Sequence, residues 1–275
     1  MRHRFRCVVL LATAFTLGTS AHADLPLTIE DLIVKENETT LEIGLNYGGL
    51  YTSNWIEKTN QDVLSMSLGV RHGLTPNTEI YGSIRGSANQ KRISEAGVFS
   101  NTNGQQWDGV SFGINHRFSP DNETPALLGY LQTELIENAK PYGRPWLCGR
   151  TWEVGLSTYR RLDPVVVSLS SGFRYNLLRN SEDHEAVNPG NSLRISSRIN
   201  LAMNAEISVF WGARWIYRKA TKLRDEPIEI NATQTSFLFG GAYAVSDRTT
   251  LHFDLAADIS GRGGSNLGTL LRYTL

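Results

Sequence analysis

The 275-residue sequence lacks any hydrophobic run long enough to cross a bilayer as a helix. Such a helix needs about 20 predominantly apolar residues, and the apolar stretch at residues 8–17 is about half that length. The mean hydropathy is also slightly negative, at -0.26. These features exclude a helical membrane protein. A transmembrane β-barrel stays open, because alternate strand residues face water in its lumen and lower the mean hydropathy.

Cysteine is scarce, and neither sign of charge is in excess. Cys7 lies in the N-terminal apolar segment, which leaves Cys148 alone and excludes an intrachain disulfide framework. The chain holds 27 Lys and Arg against 27 Asp and Glu, so we expect no nucleic-acid partner. No zinc-ligand spacing, phosphate-binding loop or dinucleotide fingerprint is present, so we expect no metal and no cofactor.

The first 23 residues have the three parts of a secretory signal peptide. Arg2, Arg4 and Arg6 make a basic start, an apolar stretch follows, and Ala21-His22-Ala23 is a small-x-small cleavage site. We therefore expect residues 1–23 to be removed, together with Cys7, so that the mature chain begins at Asp24.

Apolar and polar residues alternate in twelve segments of the remaining chain. Alternation of period two is typical of a strand with one face against an apolar phase and the other against water. The apolar series begin at Leu41, Leu64, Ile80, Val110, Leu127, Trp152, Val165, Leu193, Ile207, Phe237, Leu251 and Leu267. Bacterial single-chain barrels have an even number of strands. The pattern predicts an all-β fold, a twelve-stranded transmembrane antiparallel β-barrel over residues 38–275, preceded by a short N-terminal helix.

The connections between these segments fall into two classes. Tight turn sequences follow the even-numbered segments, at 75–77, 120–122, 163–164, 203–204 and 246–248. Longer connections follow the odd-numbered ones, such as 89–105, 138–149, 179–190 and 219–229. Outer-membrane barrels have short periplasmic turns and long outer loops. We therefore expect an outer-membrane protein with both termini in the periplasm, whose partners are outer-membrane lipid and the barrel-assembly machinery.

Aromatic residues support this orientation, because Trp and Tyr gather where a bilayer meets water. Tyr47, Trp152 and Tyr175 are expected near the outer ends of their strands, and Tyr273 near a periplasmic end. Trp107 breaks the alternation of its strand. A β-bulge near Gly109 would turn it outward.

The inward face of the predicted strands is rich in charge. An Arg or Lys on the lipid face at the bilayer midplane costs roughly 2–4 kcal/mol, so these groups are expected in the lumen. The candidate pore-lining residues are Arg71, Arg85, Arg117, Arg174, Arg194, Arg198, Arg214, Arg272, Glu42, Glu134, Glu153, Glu206, Asp254 and Asp258. They would either set the selectivity of a pore or form a closed network of salt bridges that stabilises a narrow barrel.

The segment before the first strand, residues 24–37, has the pattern of a short amphipathic helix. Thr28 and Asp31 resemble a capping box, and apolar residues recur at helical spacing. Its candidate plug residues are Leu25, Leu27, Ile29, Leu32 and Ile33. This leader would be a plug that enters the lumen from the periplasmic side, or an interfacial tail.

The leader and the first strand together resemble a known family. Leu25-Pro26-Leu27-Thr28-Ile29-Glu30-Asp31-Leu32, followed by a strand like residues 41–47, is similar to the barrel of the FapF-like functional-amyloid secretion channels. It also resembles the related phenol-degradation-associated outer-membrane transporters. The resemblance implies a twelve-stranded barrel with a helical plug, and hence a gated pore.

The sequence thus favours an outer-membrane channel or transporter for small solutes or a secreted polypeptide. A nonconducting structural or surface-interaction barrel is the main alternative, and a soluble β-sandwich or a barrel-embedded enzyme are others. The histidines have no accompanying Ser or Asp pattern of a catalytic site, so no catalytic residue and no enzyme activity is expected. Homo-oligomer formation stays open.

Overall fold

The computed structural model describes residues 33–53, 57–95, 98–138, 146–180, 186–228, 230–260 and 264–275. Extended strands dominate these residues, and the described part of the chain contains no helix. No helix suited to crossing a membrane occurs in these ranges.

Twelve long antiparallel strands form the main sheet, and we number them β1 to β12 in chain order. Their bounds are β1 Thr39–Ser53, β2 Glu57–Thr75, β3 Thr78–Glu95, β4 Val98–Ser119, β5 Ala126–Asn138, β6 Thr151–Leu162, β7 Val165–Asn176, β8 Ser192–Ala202, β9 Ile207–Arg218, β10 Ala232–Ser246, β11 Thr249–Asp258 and β12 Gly264–Thr274.

The twelve strands close into a barrel. Each strand pairs with its neighbours in sequence, and β1 pairs with β12 from Thr40 opposite Thr274 to Leu50 opposite Gly264. Closure leaves no unpaired strand edge, which is the condition for a sheet to span hydrocarbon. The prediction of a twelve-stranded antiparallel barrel is confirmed.

The two faces of the barrel have the polarity of a membrane protein. Apolar side chains cover the outside, where Leu45 is 48 % exposed and Phe239 is 49 % exposed. Polar side chains are buried inside, where Glu79 is 0 % exposed and Asn200 is 1 % exposed. A water-soluble protein has the reverse arrangement. The outer surface is therefore matched to lipid, and the fold is a transmembrane β-barrel.

The barrel has two unlike ends. The connections after β2, β4, β6, β8 and β10 span two to six residues, whereas those after β5, β7 and β9 span twelve or more, and both ends of the strand chain, Thr39 and Thr274, lie beside the short ones. We call this the turn end and the opposite end the loop end.

Asp121 links two strand connections at the turn end. Its carboxylate accepts the backbone N–H of Arg161 at 2.9 Å and contacts the Arg160 guanidinium at 3.2 Å. Burial acts to raise the pKa of Asp121, but these donors outweigh burial and lower it.

The predicted long connection 89–105 is wrong. The structure continues β3 and β4 through it as a regular hairpin, with Asn89 opposite Gly104 and Glu95 opposite Val98. Most of its residues are polar, and the sequence shows no regular alternation there. Backbone pairing needs no alternation where both faces meet water, and the hairpin stands beyond the apolar band of the barrel.

Two other connections at the loop end pair with each other. Short strands at Arg179–Asn180 and Ala186–Asn188 follow β7, and Lys222–Leu223 and Glu226–Pro227 follow β9. They form a separate four-stranded sheet through pairs such as Val187 with Leu223. A further short strand, Trp146–Leu147, extends the pairing of β5. The loop end is thus partly ordered by its own sheet.

The predicted bulge near Gly109 is confirmed. Arg85 pairs with Gly109 and Gly86 pairs with Trp107, so Asp108 is the extra residue. The bulge turns Trp107 outward, where it is 46 % exposed. Trp215 and Tyr217 stack near the same end, with ring centroids 6.3 Å apart. Aromatic side chains therefore stand at the loop end of the apolar band, as a membrane interface requires.

Most of the predicted leader lies outside the described residues, as does the signal peptide at 1–23. The structure describes its end, Ile33–Asn37, and this part is not helical. Glu36 makes a parallel bridge with Gly73, and Asn37 has a φ of 63°. The predicted leader helix over 24–37 therefore does not extend through residues 33–37.

Candidate functional site: the lumen

The most connected carboxylate of the loop half of the lumen is Glu153 on β6. It accepts hydrogen bonds from the Arg194 guanidinium at 2.5 Å, the Tyr130 hydroxyl at 2.8 Å and Arg174 Nε at 3.0 Å. Arg174 lies on the next strand, β7, and Arg194 lies one strand further, on β8. This cluster neutralises one of its two arginines and leaves a net positive charge.

The contacts that skip a strand pass over a glycine. A Cβ atom at Gly172 would lie 2.3 Å from the Tyr130 hydroxyl oxygen, in the space where Arg194 and Glu153 meet. A Cβ atom at Gly113 would lie 2.3 Å from Cζ of Tyr81, whose hydroxyl donates to Gln132. The glycines let long side chains lie flat along the wall, so these contacts do not fill the middle of the lumen.

A second network lies near the turn end, on β12, β1, β2 and β3. Glu42 contacts Arg272 at 2.9 Å and Arg71 at 3.5 Å, and Arg71 contacts Glu79 at 2.7 Å. Glu79 also accepts from Asn115 Nδ2 at 2.6 Å. Two carboxylates thus balance two guanidiniums, and the network adds no net charge.

The remaining predicted lumen residues differ in their surroundings. Arg85 donates to Glu134 at 2.5 Å. Arg198 and Arg214 form no ion pair or hydrogen bond with any other residue that the structure describes. The charges that act on Arg198 are Arg214, Asp254 and Arg194. The described part of the lumen therefore contains both paired charges and cations without an ion-pair partner, Arg198 and Arg214 among them.

Three predicted pore-lining residues stand at the ends of the barrel instead. Arg117 donates to the Pro76 carbonyl at 2.8 Å and so lies at a turn. Glu206 is exposed in the turn between β8 and β9, where its N–H is bonded to Asn204. Asp258 ends β11 and accepts from the Ser260 N–H at 2.8 Å. The prediction for Glu206 is corrected: the apolar–polar alternation of the sequence runs on beyond the end of the strand, and Glu206 lies in the turn. Arg117 and Asp258 lie at the rims of the barrel.

Three cavities lie inside this wall among the described residues: one of about 500 Å³ is lined by Arg85, Asp108 and Asp254, and the other two adjoin. The larger, about 790 Å³, opens toward the loop end and is lined by Arg174, Arg194, Arg218 and Lys219, and Glu153 is the one carboxylate that the described residues contribute to it. The smaller, about 370 Å³, contains Arg194, Arg198 and Arg214 and several hydroxyls. Arg194 lines both, so the two cavities adjoin along the lumen.

The chain before β1 enters the lumen at the turn end. The Val34 N–H donates to Glu79 at 2.6 Å, and Val34 is 7 % exposed. Ile33 packs against a buried apolar cluster of Ala126, Leu128, Tyr159 and Val166. Glu79 lies on β3, and the cluster belongs to β5, β6 and β7. Val34 and Ile33 therefore contact two different parts of the barrel wall. Tyr159 also lines the smaller cavity.

The sequence interpretation missed Glu79, Tyr130 and Arg218. Glu79 continues the inward series Tyr81, Ser83 and Arg85 by one step toward the turn, so the alternation contained the signal for it. The alternation of β5 puts Tyr130 on the inward face, opposite Leu127 and Leu131, but does not give its contact with Glu153. That contact depends on strand register, which alternation alone does not give.

Comparisons with known proteins agree on the fold. The barrel is similar to the COG4313 outer membrane channel from Pseudomonas putida F1, with 12 % identity, a TM-score of 0.63, and coverage of 88 % of this chain and 97 % of that chain. It is also similar to the transport unit of the autotransporter AIDA-I from Escherichia coli (12 % identity, TM-score 0.53, coverage 88 % and 91 %) and to the NanC porin (10 %, 0.51, 86 % and 100 %). No protein-family model and no curated protein matches the sequence. The shared feature is the outer-membrane β-barrel fold.

Proposed function

We propose that the protein is an outer-membrane channel for small polar solutes. One observation carries the proposal: long charged side chains lie along the wall, and cavities of about 790 and 370 Å³ adjoin inside it. A twelve-stranded barrel encloses more room than an eight-stranded one, whose side chains nearly fill its interior. Small solutes fit such a lumen better than a polypeptide does. The similarity to the transport unit of the autotransporter AIDA-I supports the barrel architecture of this chain and not the export of a polypeptide.

Single-channel recording of the refolded mature protein in planar bilayers tests this proposal. We expect discrete conductance steps in KCl, carried mainly by anions because Arg198 and Arg214 have no ion-pair partner in the described structure. Heat-modifiable gel mobility provides the control for folding. Folded protein that inserts into the bilayer but conducts no current would contradict the channel.

A nonconducting structural barrel is the second candidate. It is favoured by the networks around Glu153 and Glu79, which resemble the internal ion-pair ladders that stabilise a narrow barrel. The same recording separates the two functions, because a structural barrel predicts no current both with and without the leader. We propose no enzymatic activity.

We further propose that the turn end faces the periplasm, as the short turns of outer-membrane barrels do. Cys148 offers a direct test, because it is exposed and follows the short strand Trp146–Leu147 at the loop end. A membrane-impermeant maleimide should label the wild-type protein on intact cells. In a Cys148→Ser, Arg248→Cys variant, whose cysteine stands in the exposed turn between β10 and β11, labelling should require permeabilised cells. Labelling of the second variant alone on intact cells would reverse the orientation.

The leader is proposed as a plug of the lumen. What supports this is the course of Ile33 and Val34, which enter the lumen at the turn end and contact Glu79 and the apolar cluster. The finer resemblance to the functional-amyloid secretion channels and the phenol-degradation-associated transporters is also a proposal, supported by the motif at residues 25–32. A gated pore is what that resemblance implies.

A further inference from the structure

The wall formed by β8 and β9 carries a ladder of arginines. In the antiparallel register Arg218 stands opposite Ser192, Arg194 opposite Ile216, Arg214 opposite Ser196, and Arg198 opposite Gly212. The four guanidiniums therefore alternate between two adjacent strands, going from the loop end into the lumen. Arg194 alone of the four has an ion pair with a described carboxylate, Glu153.

The lower part of this ladder lines the 370 Å³ cavity. Its three guanidiniums, those of Arg194, Arg198 and Arg214, share it with hydroxyl groups that include Ser170 and Ser196, and none of the described carboxylates lines it. The two serine hydroxyls are 2.7 Å apart. A guanidinium only donates hydrogen bonds, and because one serine hydroxyl donates to the other, one O–H of the pair is left to donate as well. The lining is thus suited to a ligand that accepts hydrogen bonds and carries negative charge.

The direction of Arg198 is set by packing. Its guanidinium carbon lies 4.7 Å from the centroid of the Phe210 ring, a distance suited to a cation–π contact. Phe210 is 4 % exposed and lies against Gly240, where a Cβ atom would approach the ring to 2.7 Å. The guanidinium is therefore held over the buried Phe210 ring, and Arg198 lines the cavity.

Three guanidiniums line this cavity together, and no described carboxylate lines it with them. Arg198 and Arg214 repel each other and Arg194, and Asp254 is the one carboxylate that acts on both. Like charges held together away from bulk water are unfavourable unless an opposite charge joins them. Guanidiniums also match the geometry of carboxylate and phosphate oxygens, to which they donate paired hydrogen bonds.

We propose that this cavity is a binding site for a compact oxyanion, a carboxylate or phosphate group, held between Arg198 and Arg214 with the Ser170 and Ser196 hydroxyls beside it. The proposal rests on the proposed channel function for its role and gives it a substrate class: small anions, which the upper arginines Arg218 and Arg194 would attract from the loop end. The volume lies in the range of small-ligand pockets.

Isothermal titration of the refolded, full-length mature protein in detergent tests the site, with inorganic phosphate and acetate as probes and glycerol as the neutral comparison. We expect saturable binding of at least one anion and none of glycerol. Arg198→Gln and Arg214→Gln should each weaken that binding roughly tenfold or more, since charge-assisted hydrogen bonds are lost. Arg218→Gln is the matched control. It removes the same charge from the upper cavity and should change the affinity by less than about threefold, the effect of a screened distant charge.

Phosphate binding without acetate binding would assign the site to phosphate-type anions, and binding of both would assign it to oxyanions generally; both results support the site. Absence of saturable binding to folded protein would overturn it. Equal weakening by Arg218→Gln and Arg198→Gln would also overturn it, because the effect would then be diffuse electrostatics. The conductance recording tests the channel separately from the site. Current without anion binding would contradict the anion site and support the channel. Anion binding without current would support the site and contradict the channel.

Discussion

Removing residues 24–32 from the mature protein should raise its single-channel conductance severalfold while the barrel stays folded. The described end of the leader, Ile33 and Val34, already lies inside the lumen at the turn end, so the residues before it are placed to occupy that space. The deletion removes no barrel strand. It also spares the bond from Val34 to Glu79, which a deletion through Lys35 would destroy.

Planar-bilayer recording measures this effect, with heat-modifiable gel mobility to show that the barrel is folded. A variant in which residues 24–32 are replaced by a Gly/Ser sequence of equal length is the matched control. If the leader blocks the lumen through its apolar side chains, both variants conduct better than the wild type. Conductance equal to that of the wild type in both would remove the plug and leave the leader as an interfacial tail.

Glu79→Ala should destabilise the barrel by about 3 kcal/mol, the cost of leaving a buried charge without its partner. Glu79 is fully buried, and it holds the Arg71 guanidinium at 2.7 Å, Asn115 and the Val34 N–H. The alanine leaves all of these donors without their acceptor. Arg71 keeps its longer contact to Glu42, at 3.5 Å. The midpoint of unfolding in urea, followed by gel mobility, measures the loss.

Glu123→Ala is the matched control for this prediction, because Glu123 is an exposed carboxylate in the turn between β4 and β5, and its loss should change stability by less than about 0.5 kcal/mol. Glu79→Gln should fall between the two, since the amide oxygen still accepts hydrogen bonds but carries no charge. An unfolding midpoint of Glu79→Ala within error of Glu123→Ala would show that the network around Glu79 does not hold the turn end together.

The alternation of residues was enough to predict the barrel, because lipid and water impose opposite requirements on successive strand residues. Leu41, Ile43 and Leu45 face outward, and Glu42 and Gly44 face inward, as the pattern predicts. Where both faces meet water that requirement disappears. The hairpin beyond Asn89 therefore had no signal in the sequence, although its backbone pairing is as regular as that of the membrane-facing strands.

The pairing of the inward charges was beyond prediction from the sequence. Glu153 meets Arg194 across an intervening strand, at a point where Gly172 leaves room. That contact depends on the stagger of three strands, and alternation fixes only which face a residue occupies. For the same reason the sequence identified Arg198 and Arg214 as inward but did not distinguish them from the arginines that have carboxylate partners.

Because β1 pairs with β12, the barrel closes only when the chain includes its last strand. All the remaining strand pairs join strands that are adjacent in sequence. The seam between β1 and β12 instead joins residues from the beginning and the end of the barrel sequence, such as Glu42 and Arg272. A polypeptide that stops before β12 would keep two open edges, on β1 and β11. Each unpaired backbone group facing hydrocarbon costs several kcal/mol, and such edges recruit strands from other chains. Truncated products are therefore candidates for aggregation and proteolysis before they can perforate the membrane.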